Sequence, residues 1–123
     1  MTFTLYGEVP SKKNSRVNIR NGRSFPNKRY QAWHRKSLFE LKSITENFAE
    51  PVYIKLHFYH QDNRRRDSDN GVSSVFDTLV DARIIQDDRW QIILGYEVKN
   101  DLDKKNPRVT ITITTYADYL EKY

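Results

Sequence analysis

The stretch that decides the fold is VYIKLHFYHQDNRRRDSDNGVSSVFDTLVDA, Val52 to Ala82. Val52 to His60 alternates apolar and polar side chains, the period of a strand with one buried face. Asn70 to Ala82 changes period. Val72, Val75, Phe76, Leu79 and Val80 follow the i, i+3, i+4, i+7, i+8 stripe of an amphipathic helix, with Asp69 or Asn70 where an N-cap belongs. The strand therefore delivers the chain into a charged loop in which Arg64, Arg65 and Arg66 run directly into Asp67 and Asp69. His57 and His60, three apart on a strand, point to opposite faces and read as ordinary strand residues rather than metal ligands.

Working outward toward the N-terminus, Phe3 to Val9 alternates as a strand that Pro10 closes. A long polar and basic loop follows to residue 26, with a hairpin turn expected at Asn21-Gly22. From Asn27 the residues Tyr30, Trp33, Leu38, Leu41, Ile44 and Phe48 recur at helical spacing, predicting a helix that ends before Pro51. Toward the C-terminus, WQIILGYEV and RVTITITTY read as two strands that would pair as a hairpin, and YADYLEKY as a short helix. The expectation is an α+β protein: residues 1–123 as one small domain, with a mixed or mostly antiparallel sheet of about four strands and two main helices. A length of 123 residues at 37% hydrophobic suits a single core.

There is no cysteine, which excludes disulfides, thiolate ligands and a cysteine nucleophile. No window approaches the roughly 18 apolar residues of a membrane span, and the N-terminus lacks a charged start with a long apolar run, so a cytoplasmic protein with no membrane partner is expected. The net charge is +5, unevenly distributed. Residues 1–36 hold nine Lys and Arg, among them Lys12, Lys13 and Arg16, against the single acid Glu8. The remaining 87 residues carry a net negative charge. A basic front interleaved with Phe25, Tyr30 and Trp33 suits a phosphate-rich partner, although a basic stretch also serves as a solvated face.

The acids form two clusters, Asp67 with Asp69, and Asp87 with Asp88. A helix of about 13 residues is about 20 Å long, so the two meet only if the chain doubles back before Asp88. Converged carboxylates repel unless a cation sits among them, and hard oxygen ligands favour Mg²⁺ or Mn²⁺. Such an ion activates water and neutralises charge on a phosphodiester, with Arg64, Arg65 and Arg66 drawing phosphate to acids that alone would repel it. An EF-hand does not fit: counting from Asp67, Val72 falls where that loop needs glycine and Thr78 where it needs glutamate. A purely structural reading stays open at this point, with Asp69 a helix cap, Asp67 a partner for Arg66, and Asp87-Asp88 turn residues.

The combination RRRDSDNGVSSVFDTLVDARIIQDD, preceded by GEVPSKKNSR, resembles the RusA family of Holliday junction resolvases over most of the chain. The family pattern is a basic lead-in, Asp-x-Asp-Asn, an Asp-x-Leu on the next helix and a following Asp-Asp pair, here Asp67, Asp69, Asn70, Asp77, Leu79, Asp87 and Asp88. The resemblance implies a homodimeric, Mg²⁺-dependent endodeoxyribonuclease acting on four-way DNA junctions, with Mn²⁺ able to substitute. Its catalytic acids map to Asp67, Asp69 and Asp88, which would bind the metal, with Asp87 orienting a ligand or water. Lys12, Lys13, Arg16, Arg64, Arg65 and Arg66 would bind DNA phosphates. Many family members carry a lysine where this chain has Ser73, so a non-catalytic branched-DNA-binding protein of the same fold is the alternative reading. A basic protein-interaction module is a third.

Overall fold

The computed structural model describes residues 1–11, 16–18, 24–26 and 28–122, with side chains for 1–11 and 28–122. Along the chain come β1 (Thr2–Tyr6), the short strands β2 (Arg16–Asn18) and β3 (Ser24–Pro26), and α1 (Lys28–Glu40) with a 3-10 turn at Leu41–Ser43. They are followed by β4 (Val52–His60), α2 (Ser68–Asp81), β5 (Ile93–Leu102), β6 (Arg108–Thr115) and α3 (Tyr116–Lys122). Four strands form a mixed sheet in the order β1-β6-β4-β5, with β6 antiparallel to both neighbours and β5 parallel to β4. This is a small α+β domain with three α-helices among the described residues. No helix among the described residues is long and apolar enough to cross a membrane.

The alternation read from the sequence decides which sheet face is covered. Val52, Ile54, Leu56 and Phe58 of β4 and Val109, Ile111 and Ile113 of β6 are all buried. They share one core with Tyr30 and Trp33 of α1 and Val72, Val75, Phe76 and Leu79 of α2. The intervening residues Tyr53, Lys55, His57, Tyr59, Thr110, Thr112 and Thr114 form the opposite, half-buried face. On that face Tyr53 stacks against Tyr119 of α3 with ring centroids 3.9 Å apart.

β5 and β6 do not pair as the expected hairpin. α2 carries the chain back along the sheet, so β5 enters parallel to β4, and β6 crosses to the other side of β4. α1 also ends earlier than its spacing suggests. Tyr30, Trp33, Ser37 and Leu41 form its buried side, after which Ile44 turns extended and Phe48 makes a parallel bridge to Ile85. β1 stops at Tyr6 rather than Val9 because Gly7 adopts a φ of +96° and donates its N–H to the Pro107 carbonyl. β2 and β3 pair antiparallel, whereas the Asn21-Gly22 turn expected between them lies outside the described residues.

Gly95 of β5 faces Tyr53 across the parallel pair, and a Cβ there would lie 2.8 Å from two atoms of the ring. The ring cannot yield without disturbing its stack on Tyr119. Gly95→Ala should therefore lower stability by about 1–3 kcal/mol, read as a lower urea midpoint at unchanged slope. An unchanged midpoint would mean that the strand edge gives way freely.

Candidate active site

β4, α2 and β5 form a strand-helix-strand unit in which the loop 61–67 and the start of α2 sit over the ends of two parallel strands. Open α/β sheets bind ligands at that end. Here a cleft of about 730 Å³ opens, lined by the whole loop, Phe58 and His60 of β4, Asn70 and Gly71 of α2, and the last residues of β5.

The loop is braced from the segment that follows β1. Glu8, only 6% exposed, accepts from His60 Nδ1 at 2.9 Å and from the Gln61 backbone N–H at 2.8 Å, and pairs with Arg66 Nη2 at 3.3 Å. His60 Nε2 reaches Asn100 Oδ1 at 2.9 Å, tying the brace to β5. Arg66 Nη2 also pairs with Asp62 Oδ1 at 2.6 Å while Nη1 donates to the Asp62 carbonyl at 2.9 Å. The Arg64 backbone N–H and then the Arg66 side chain hold the Asp62 carboxyl below the usual carboxylate range. The three arginines thus part ways. Arg66 is one quarter exposed and holds the loop, Arg64 is 82% exposed with only a 3.7 Å approach to Asp62, and Arg65 is exposed.

Helix α2 begins at Ser68, earlier than expected, with Asp67 rather than Asp69 or Asn70 at the N-cap position. The Asp67 side chain makes no capping hydrogen bond, and Asp69 lies inside the first turn. Both are exposed, and neither carboxylate has an ion-pair or hydrogen-bond partner among the described residues. The purely structural reading of these two acids therefore loses its support, since Arg66 takes Asp62 and Glu8 instead of Asp67.

The second cluster stands elsewhere. Arg83 adopts a left-handed φ of 60°, and the Ile84 N–H bonds back to the Leu79 carbonyl at 3.0 Å, so the chain reverses after α2. Buried Ile84 and Ile85 then anchor it beneath Phe48. Asp87 accepts the Asp88 N–H and pairs with Arg89 at 3.1 Å, contacts that hold its carboxyl below the usual range. Burial, and then the charges of Asp77 and Asp87, push the Asp88 carboxyl upward. Asp88 therefore returns as far as Asp77, and about 12 Å of helix still separates Asp77 from Asp69. Among the described residues no group of three or more His, Asp or Glu is arranged to hold a metal ion. The set Asp67, Asp69 and Asp88 is not assembled within one chain. Asp67 and Asp69 nonetheless fit a hard divalent ion chemically, because Mg²⁺ is usually held by one or two carboxylates with water and substrate phosphates completing its shell. Lys12 and Lys13 lie outside the described residues, as does the side chain of Arg16, whose backbone belongs to β2.

A carboxyl with a raised folded pKa binds its proton more tightly in the folded chain, so stability falls as pH rises from the ordinary carboxylate pKa through the raised value. Asp88→Asn removes that repulsion. Its Tm should exceed the parent's by about 1–2 °C at pH 7, and the gap should close as pH drops below the carboxylate range. A Tm equal to or below the parent's at pH 7 would show that Asp88 meets no net repulsion.

Sequence reasoning missed Glu8 and Asp62. The signal for Glu8 was present, a lone acid among nine cations. Residues 7–114 match the family model described as endodeoxyribonuclease RusA. No curated protein matches the chain.

Proposed function

The chain belongs to the RusA endodeoxyribonuclease family, and from that premise we propose that it hydrolyses phosphodiesters at four-way DNA junctions, as a homodimer using Mg²⁺ or Mn²⁺. The observation that carries this reading is the cleft, lined by exposed Arg64, Arg65 and Asp67, with exposed Asp69 following in the first turn of α2, two carboxylates that neither a cap nor an ion pair engages among the described residues. Arg64 and Arg65 bind the backbone phosphates, joined by Lys12, Lys13 and Arg16 from the basic N-terminal stretch. The N-terminal end of α2 adds partial positive charge at the same place. Arg66 and Glu8 fix the loop so that Arg64, Arg65 and Asp67 move as one unit with the sheet.

Asp67 and Asp69 would hold the ion, which when bound lowers the pKa of its water and neutralises charge on the phosphodiester. Asp88 is the third acid of the family pattern and Asp87 orients a ligand or water beside it. Support for a homodimer comes from exposed Leu94 and Tyr96 on the edge strand β5 and exposed Trp90 in the turn just before it, which offer a second copy apolar surface. Two-fold symmetry suits paired cuts on opposing strands.

The test is cleavage of synthetic four-way junctions of varied sequence, with and without Mg²⁺ or Mn²⁺, against linear duplex. Metal-dependent paired nicks confined to the junction are expected. One observation favours a second reading, a non-catalytic branched-DNA-binding protein: Ser73 is exposed on α2 between Asp69 and Asp77, where many family members place a cation. Tight junction binding without cutting under either metal would select that reading. Both predict affinity that falls steeply with salt, which a protein-interaction module does not.

A further inference from the structure

We propose that the cleft receives one nucleotide lifted out of the base stack and that Asn70 reads its base. The inference rests on the reading of the chain as a protein of branched DNA and names what that site takes. A phosphate bound by arginines needs only a surface. The cleft measures about 730 Å³, within the range of about 300–1,000 Å³ of pockets that enclose whole small molecules.

Asn70 supplies the second observation. It is 9% exposed, it lines the cleft, and its side-chain amide has no hydrogen-bond partner among the described residues, where only its backbone is engaged. The amide is not one of the fully enclosed unpaired groups, which are Trp33 Nε1 and Ser37 Oγ among the described residues; the little surface Asn70 keeps lies in the lining of the cleft, where a ligand can take the place of water. The chemistry of the amide narrows the ligand. It offers an N–H donor beside a carbonyl acceptor. Phosphate oxygens only accept and would leave the carbonyl unpaired, while a cation would use the carbonyl alone and leave the N–H₂ unpaired. A base edge, with donor and acceptor side by side, satisfies both.

The surroundings fit the rest of a nucleotide. Arg29, Arg64 and Arg65 line the same cleft and suit its phosphate, together with the start of α2. Beneath Asn70 the floor is rigid: a Cβ on Gly71 would lie 3.1 Å from the Phe58 ring, which is itself 3% exposed. The floor therefore fixes the depth at which a base stops. Branch points interrupt stacking, so the nucleotide there is the least costly to extrude.

The test uses the full chain and four-way junctions carrying 2-aminopurine at each position around the exchange point, without added metal. A rise in fluorescence of about threefold or more at one position on binding is expected, as a base leaves its stack. No rise at any position would overturn the proposal, whether or not the protein cuts DNA. For cutting, the four natural bases at the responding position should differ in kcat/KM by about tenfold or more, and Asn70→Ala should compress that spread to about twofold. Asn70→Asp, which keeps shape but replaces the donor, should change which base is preferred. A uniform loss in both variants, with the ranking of bases preserved, would assign Asn70 a role that does not read the base. Should the wild-type protein cut nothing, the endonuclease reading falls and the fluorescence arm alone decides the pocket.

Discussion

Asp69→Asn should lower junction cutting by at least about 10³-fold while leaving junction affinity equal or higher. Removing a group that stabilises charge in the reacting state typically costs about 10²–10³ in rate, and loss of an ion ligand at a two-carboxylate site costs more because the ion is lost with it. Affinity moves the other way, since one negative charge disappears beside Arg64 and Arg65, where phosphate binds. The Asp69 side chain is exposed and engages no partner among the described residues, so Asn at that position should fold normally. Rates under single-turnover conditions, with binding measured separately by gel shift, separate the two effects. Equal loss of rate and affinity would make Asp69 part of the DNA grip, and an unchanged rate would return it to the solvated surface. Asp88→Asn belongs beside it as a second variant. A comparable loss there would give the far acid a share in the reaction, even though one chain holds it with Asp77 and Asp87.

Part of this site is written in the sequence. The change of period from two to helical between His60 and Asn70 places the arginine and aspartate run at a strand-to-helix junction, and β4 and α2 stand close to where that change puts them. Other features depend on contacts that no local pattern records. Leu41, Ile44 and Phe48 continue a helical spacing beyond Glu40, yet Phe48 bridges Ile85, thirty-seven residues away in sequence, and the helix ends. β5 and β6 look like a hairpin because only five residues separate them, and a parallel β4–β5 pair is decided by where α2 packs. The three arginines are chemically identical in sequence. Only the positions of Glu8 and Asp62 in the fold make Arg66 a brace and leave Arg64 and Arg65 exposed at the cleft.

That brace carries the largest expected effect on stability. Glu8→Ala should destabilise the chain by about 3 kcal/mol, because removing one partner of a buried pair leaves the others uncompensated. Three donors converge on this carboxylate, the His60 ring, the Gln61 N–H and the Arg66 guanidinium, and at 6% exposure water does not readily replace it. Arg66 keeps Asp62 and so is not stranded, which holds the estimate at the lower end of the range for broken buried pairs. The expected drop in Tm is about 10 °C for a domain of this size. Glu8→Gln should cost roughly half as much, since its amide oxygen still accepts while its N–H₂ faces a donor. The loop should suffer before the sheet does. β1 is held to β6 through Val109, Ile111 and their neighbours, whereas residues 61–67 contain no regular structure and depend on Glu8 and Asp62. Amide exchange should therefore accelerate first at residues 61–68, and junction affinity should fall at temperatures where the core remains folded. Uniform loss of protection across the chain would show instead that Glu8 supports the whole domain, and a Tm within about 2 °C of the parent would show that water substitutes for the carboxylate.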